Sequence, residues 1–250
     1  MNNFVRSCQI STKIINFAKE TEPSGNQTKR EAHDFVMENY TANAALPSQL
    51  IRMVILGKSR PDIVQVVEPP YSSITVSAEA IRSLPYFELL LKHMEEVEVG
   101  ILPDAFCTSK EIPMIPLLHP IEHPYKAEEI GYIFTEMSVS VITAPIQNYL
   151  SERDSRFFFY INENAYQFQN GTLVPFQNTS EVIEDLSGLA LNPNTRIQTI
   201  RIYDEQEREE LLTVITRPLN TNGWYIAECV DESQLTESVF SVLFSIVLIT

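Results

Sequence analysis

Residues 216–230 read TRPLNTNGWYIAECV, 231–238 read DESQLTES, and 239–250 read VFSVLFSIVLIT. The first block alternates and carries aromatics, the pattern of a strand that closes a sheet with Trp224, Ile226 and Cys229 or Val230 turned inward. The last block is twelve residues without a charge. By length alone it suits a buried C-terminal helix, because a bilayer span takes about 20 residues. Its flanks argue otherwise. No Gly, Pro or basic turn closes the run, as a globular helix terminus usually does. Arg217 is the last basic residue, and Asp231, Glu232 and Glu237 come just before the run. A flank without Lys or Arg suits the non-cytoplasmic side of a membrane helix. The expectation is therefore the start of a transmembrane helix over 232–250, with most of the chain outside the cell, attached to the cell membrane.

The 250 residues suffice for one large domain or two small ones. A hydrophobic fraction of 44% is that of a folded protein. The net charge of −15 and isoelectric point near 4.7 exclude nucleic acid as a partner, since that recognition begins with a basic face. Most of the acidity serves solubility. Cys8, Cys107 and Cys229 lie far apart with no CxxC pair, so they read as buried thiols rather than as a metal cluster or disulfide framework. The opening MNNFVR has no charged n-region leading into an apolar h-region. An extracellular location then implies a further membrane helix upstream.

Residues 1–49 read as a helical stalk. Phe4, Cys8, Ile14 or Ile15 and Ala18 recur near helical spacing, and the Pro23-Ser-Gly-Asn26 run breaks the pattern. Thr28 with Glu31 three residues on is the signature of a capping box, opening a helix with Ala32, Phe35, Val36 and Tyr40 on its apolar side. From Leu50 the period changes. Leu50–Leu56 and Ile63–Val67, rich in β-branched residues, predict a hairpin that ends at Pro69-Pro70-Tyr71. A helix over Ser77–Met94, broken at Leu84-Pro85, comes next, and then strands over Val97–Leu102, Ile112–Leu118 and Ile130–Met137. Prolines 113, 116, 120 and 124 predict that the middle strand is short or at an edge.

Residues 139–155 read as a linking helix, after which 156–231 forms a second unit. Arg156–Ile161 is a strand, and Asn170-Gly171 between alternating residues is the strongest short-range hairpin signal in the chain. A short helix over Ser180–Leu189 and strands over Arg196–Tyr203 and Glu210–Thr216 precede the Trp224 strand. The fold class is α+β, in which each half sets strands around a short helix.

This order of parts resembles the double-Cache extracellular sensor regions of bacterial membrane receptors, above all sensor histidine kinases. The resemblance is carried by the N-terminal helices, by Gly131-Tyr-Ile-Phe-Thr-Glu-Met-Ser138, by Arg156-Phe-Phe-Phe-Tyr-Ile-Asn-Glu163 with the Asn170-Gly171 hairpin, and by Asn222-Gly-Trp-Tyr-Ile-Ala227. It implies two PAS-like (Cache) lobes with antiparallel sheets, the membrane-distal one over 50–138 and the proximal one over 156–231. It also implies a small molecule or partner protein sensed in the outer lobe, with homodimerisation and no cofactor. The Arg-x-Trp-Tyr type of run expected of an amino-acid pocket is absent, since Trp224 is the only tryptophan and falls in the other lobe. Tyr86, Asp104, Phe106, Thr108 and Tyr125, polar and aromatic groups beside the first sheet, are the candidate ligand-binding residues. Phe87 reads more simply as core.

Three alternatives stand beside this reading. His119-Pro-Ile-Glu122-His123 matches the letter of the H-x-x-E-H zinc-protease motif, which needs both imidazoles on one helical face. Pro120 and Pro124 oppose a helix and predict a surface loop, so a zinc-dependent hydrolase is an alternative and the expectation is no metal. The scattered seven glycines form no P-loop or G-x-S-x-G elbow, and no catalytic module is expected in this chain. The outer region of a membrane-anchored transcriptional regulator and a surface interaction module acting through the acidic face complete the alternatives.

Overall fold

In the computed structural model the described residues are 2–20, 26–44, 46–67, 76–106, 113–150, 156–161, 164–169, 171–176, 196–203, 209–218 and 224–231. The chain divides into two units, Met1–Val141 and Ile142–Thr250.

The first unit opens with α1 (Asn2–Ile10), α2 (Thr12–Lys19), α3 (Gln27–Thr41) and the single turn α4 (Leu46–Gln49). Its sheet is built from β1 (Leu50–Gly57), β2 (Ile63–Val67), β3 (Leu102–Pro103), β4 (Pro113–Glu122) and β5 (Glu129–Ser138). The order is β2-β1-β5-β4-β3 and every pairing is antiparallel. Two short helices, α5 (Ala78–Arg82) and α6 (Phe87–Lys92), follow β2, with the expected interruption between them at Leu84-Pro85.

All of β1 is buried because both faces of the sheet are covered. Strand side chains alternate between faces, and the two sets enter different cores. Met53 and Ile55 of β1, Val64 and Val66 of β2, Ile121 and Ile133 pack with Phe4, Val5, Cys8, Ile14, Phe17, Ala18, Val36 and Tyr40 of α1–α3. Val54, Leu56, Leu118, Tyr132 and Phe134 pack with Ile81, Phe87 and Leu90 of α5 and α6. A register shift between Leu50 and Arg52 puts Leu50 on the α1–α3 side and Arg52 on the other.

The N-terminal helices therefore complete the first lobe instead of standing apart as a stalk. Their apolar stripes have no other surface among the described residues on which to be buried. The capping box at Thr28 does not form either. The α3 N-cap is Asn26, the Thr28 hydroxyl donates to Glu20 at 2.6 Å, and Gln27 donates to Glu31 at 2.9 Å.

β4 runs the full ten residues from Pro113 to Glu122, longer than its prolines suggest. The strand tolerates them because alternate residues turn their backbone N and O away from β5. On that side the Leu118 carbonyl accepts from Glu95 N (2.8 Å) and the Pro120 carbonyl from Gln9 Nε2 (3.0 Å). Pro116 and Pro120 thus sit where no ladder donor is needed, since β3 reaches only Pro113 and Met114. The strand expected over 97–102 contracts to β3, whose Pro103 faces Pro113 with no N–H on either residue.

Helix α7 (Ser140–Leu150) carries the chain from the first unit into the second, whose strands are β6 (Arg156–Ile161), β7 (Asn164–Gln169), β8 (Thr172–Pro175), β9 (Arg196–Tyr203), β10 (Glu209–Pro218) and β11 (Trp224–Asp231). The six strands form an antiparallel sheet in the order β8-β7-β6-β11-β10-β9. Gly171 takes φ +84° in the β7–β8 turn, a conformation that glycine adopts without strain. Phe157, Phe159, Ile161, Trp224 and Cys229 are buried, Trp224 facing Ile161 across the β6–β11 ladder, while Ile226 and Val230 are half-buried. The helix expected over 180–189, Cys107, and the transmembrane segment expected over 232–250 lie outside the described residues. Among the described residues no helix is long and apolar enough to cross a membrane.

Gly57 and Gly131 face one another across the β1–β5 ladder, and α2 crosses over them. A Cβ on Gly131 would meet the Leu56 carbonyl at 2.4 Å and the Ala18 Cβ at 3.1 Å. Backbone cannot move aside cheaply there. Gly131→Ala is expected to destabilise the protein by about 1–3 kcal/mol through overpacking, measured by denaturant unfolding. An unchanged midpoint would contradict this close approach of helix to sheet.

Candidate functional site

Three ionisable side chains come together on the α5–α6 side of the first sheet. Arg52 of β1 and Glu136 of β5 are cross-strand partners, both wholly buried, and Asp104 follows β3 at 5% exposure. Arg52 Nη1 lies 2.9 Å from Glu136 Oε2 and 3.4 Å from Asp104 Oδ1, and Nη2 lies 3.5 Å from Asp104 Oδ2. The Asp104 carboxylate also accepts from the Phe106 backbone N–H at 2.8 Å, a local turn that fixes it in place. The Phe106 ring lies under the guanidinium, 4.8 Å from its carbon. Tyr86, at the N-cap of α6, feels the charges of Glu136, Asp104 and Arg52.

Several polar atoms here lack a hydrogen-bond partner among the described residues. They are both Glu136 carboxylate oxygens, Arg52 Nε and the Tyr86 hydroxyl. Arg52 thus stands at ion-pair distance from Glu136 without a well-aligned bond. Burial pushes the Glu136 carboxyl up to about 8; Arg52 opposes this and Asp104 adds to it. Burial wins over the guanidinium. The same burial, with the two carboxylates, raises Tyr86 as well. At neutral pH Glu136 accordingly keeps its proton.

Of the residues picked out from sequence, Tyr86, Asp104 and Phe106 meet around Arg52, and Phe87 is core. Thr108 lies outside the described residues. Tyr125 does not join them: it is 90% exposed in the turn between β4 and β5, beside His123. Sequence reasoning missed Arg52 and Glu136. The available signal was a charge at an inward-facing position in each of two apolar strands.

The His119–His123 motif takes a different form from the loop expected. His119 to Glu122 are on β4, and only His123 lies beyond the strand. His119 is buried, its Nδ1 3.8 Å from Glu95 and its Nε2 3.5 Å from the Thr135 hydroxyl, and burial lowers its pKa against the pull of Glu95. His123 Nδ1 accepts from the Tyr125 backbone N–H at 3.1 Å. A strand does not present these residues as the zinc motif needs, and among the described residues no group of three or more His, Cys, Asp or Glu could hold a metal ion. Burial pushes the Cys8 thiol up to about 12, so it packs as an unreactive hydrophobe.

No family model matches the chain, and no curated protein matches it by sequence. Solved structures do. The extracellular domain of a protein described as a histidine kinase (mmHK1S-Z3) superposes with a TM-score of 0.55 at 12% identity, over 96% of this chain and 92% of that one. A domain of a sensory box/GGDEF family protein from Vibrio parahaemolyticus gives 0.58 at 13% identity, over 94% and 89%. The ligand-binding domain of the Pseudomonas aeruginosa amino acid chemoreceptor PctC, in complex with GABA, gives 0.51 at 12% identity, over 91% and 90%. At these identities the likeness is one of fold. The fold is that of the Cache-like extracellular sensor domains of histidine kinases and chemoreceptors.

The raised Glu136 carboxyl sets a pH dependence. Between about 4.5 and about 8 the unfolded chain has lost this proton while the folded one retains it, so rising pH weakens the fold across that window. Glu136→Gln cannot titrate. Its melting temperature relative to the native protein is expected to climb from pH 5 to pH 8, measured by differential scanning calorimetry. A difference that stays constant over that range would show Glu136 ionised throughout.

Proposed function

We propose that this chain is the extracytoplasmic ligand-sensing region of a membrane signal-transduction receptor, a two-component sensor histidine kinase, with the first lobe holding the sensing site. The observation that carries the reading is the Arg52–Asp104–Glu136 cluster. Ionised groups taken out of water without full hydrogen bonding cost several kcal/mol, and a lobe needing only stability would fill the same space more cheaply with apolar side chains. Groups so placed are retained when they meet something that enters.

The fold supports the receptor class. The solved structures that superpose include extracellular domains described as those of histidine kinases and the ligand-binding domain of a chemoreceptor, the latter with GABA bound. The kinase output and the membrane attachment through 232–250 are extensions of that reading, made on the resemblance and on the uncharged C-terminal run. Ligand binding would transmit a signal only by favouring one lobe geometry over another.

A thermal-shift screen of the purified chain over amines, amino acids, sugars and organic acids tests the reading. At least one compound is expected to stabilise the fold, by about 2.7 kcal/mol at a hundred times its Kd. Asp104→Asn, which keeps shape and removes charge, is expected to abolish the shift. A screen without any stabiliser, or a shift that Asp104→Asn leaves intact, would contradict a sensing site at this cluster.

A further inference from the structure

The charges of the cluster do not balance. Two carboxylates, Asp104 and Glu136, share one guanidinium, and all three side chains are removed from solvent. Both oxygens of Glu136 still lack a hydrogen-bond donor among the described residues, and so does the buried Tyr86 hydroxyl. What is missing is a positive charge carrying N–H groups. The Phe106 ring, already covered by the Arg52 guanidinium at 4.8 Å, adds an aromatic wall suited to a cation.

We propose that this cluster takes a small organic ammonium ion, an amine without a carboxylate of its own, whose N–H groups bond to Glu136 and whose charge completes the balance against Asp104 and Arg52. This deepens the sensor reading and rests on it. A ligand carboxylate has no receiver here. The charge of Arg52 is already shared by two acids, and Arg60, also buried, is held on the α2 side by Glu20, Asp62 and the Phe17 ring. A zwitterion or an anion would bring a third carboxylate beside two, an arrangement that costs heavily in a buried site.

Without the ammonium, a proton on Glu136 serves as the missing charge. The groups facing that carboxyl are Arg52 on β1, Asp104 after β3 and Tyr86 at the start of α6. The ammonium replaces the proton: R-NH3+ and the neutral acid become an ion pair, and one H+ passes to solvent. No covalent bond forms or breaks in the ligand.

Isothermal titration calorimetry on the full chain tests this with three matched four-carbon probes, n-butylamine, γ-aminobutyrate and butyrate, together with 1,4-diaminobutane and ethylamine. At pH 7 an amine is expected to bind at least tenfold more tightly than the zwitterion or the anion. The measured heat should vary with buffer ionisation enthalpy in the proportion of about one proton released. Glu136→Gln should weaken amine binding at least tenfold and remove that proton release while leaving the circular dichroism spectrum unchanged. Tighter binding of γ-aminobutyrate or butyrate overturns the amine assignment and leaves the sensor reading standing. So does a failure of the amines where another compound from the wider screen binds. Amine binding without proton release, or binding indifferent to Glu136→Gln, also overturns it. If no compound of any class binds, the sensor reading falls together with it.

Discussion

A guanidinium with no access to water, set in an interior strand of an apolar sheet, is the constraint around which the first lobe is arranged. Arg52 interrupts the run Leu50-Ile-Arg-Met-Val-Ile-Leu56, and the register shift before it turns its side chain to the α5–α6 face. An ion in that position costs several kcal/mol unless countercharges surround it. Glu136 from the neighbouring strand and Asp104 from the turn after β3 supply them, and the stacked Phe106 ring adds its π-face. Burial, with the charge of Asp104 adding to it, leaves Glu136 holding a proton. The site is thereby poised for a cation.

The two faces of the first sheet serve different ends. One is plain core, where α1–α3 bury aliphatic and aromatic residues and α2 comes close enough that Gly57 and Gly131 must lack side chains. Arg60 strengthens that side by tying the β1–β2 turn to Glu20 and stacking on Phe17. The other face is covered by two short helices with a break between them. Tyr86 stands at the start of the second helix, within reach of the cluster's charges, so a ligand at Glu136 would act directly on the position of α6. Short helices joined by a turn give way more readily than a three-helix layer, and this is the face where a response to binding is physically cheapest.

Much of this was legible in the residues. The period change at Leu50, the hairpin through Gly57, the break at Pro85, the turn at Gly171 and the late strand at Trp224 each use local rules of pattern and turn chemistry, and each element stands where those rules placed it. What local rules do not contain is which surface an amphipathic helix will cover. Helices α1–α3 were read as a stalk because their stripes say only that something is buried, not that the partner is a sheet that follows them in the chain. β4 misled for a similar reason: its prolines forbid ladder bonds on one side only, and which side faces β5 is a matter of register. For the site, Tyr86, Asp104 and Phe106 were found by their chemistry beside the first sheet. Arg52 and Glu136 were passed over because each looked like an ordinary charge within a strand. Both faces of β1 and of most of β5 are covered, so a charge at either position is buried whichever way it points, while Tyr125 has the chemistry but sits in a turn exposed to solvent.

Room for a further cation at the cluster requires that Glu136 be a neutral acid in the folded protein, held so by burial against the pull of Arg52. Carbon-13 NMR of the glutamate side-chain carboxyls, with Glu136 assigned by comparison with Glu136→Gln, measures this directly. A carboxyl that titrates with a midpoint near 8 is the predicted result. A midpoint in the ordinary range of about 4 would mean that Arg52 already satisfies Glu136, leaving the cluster a closed ion pair with no place for a further charge.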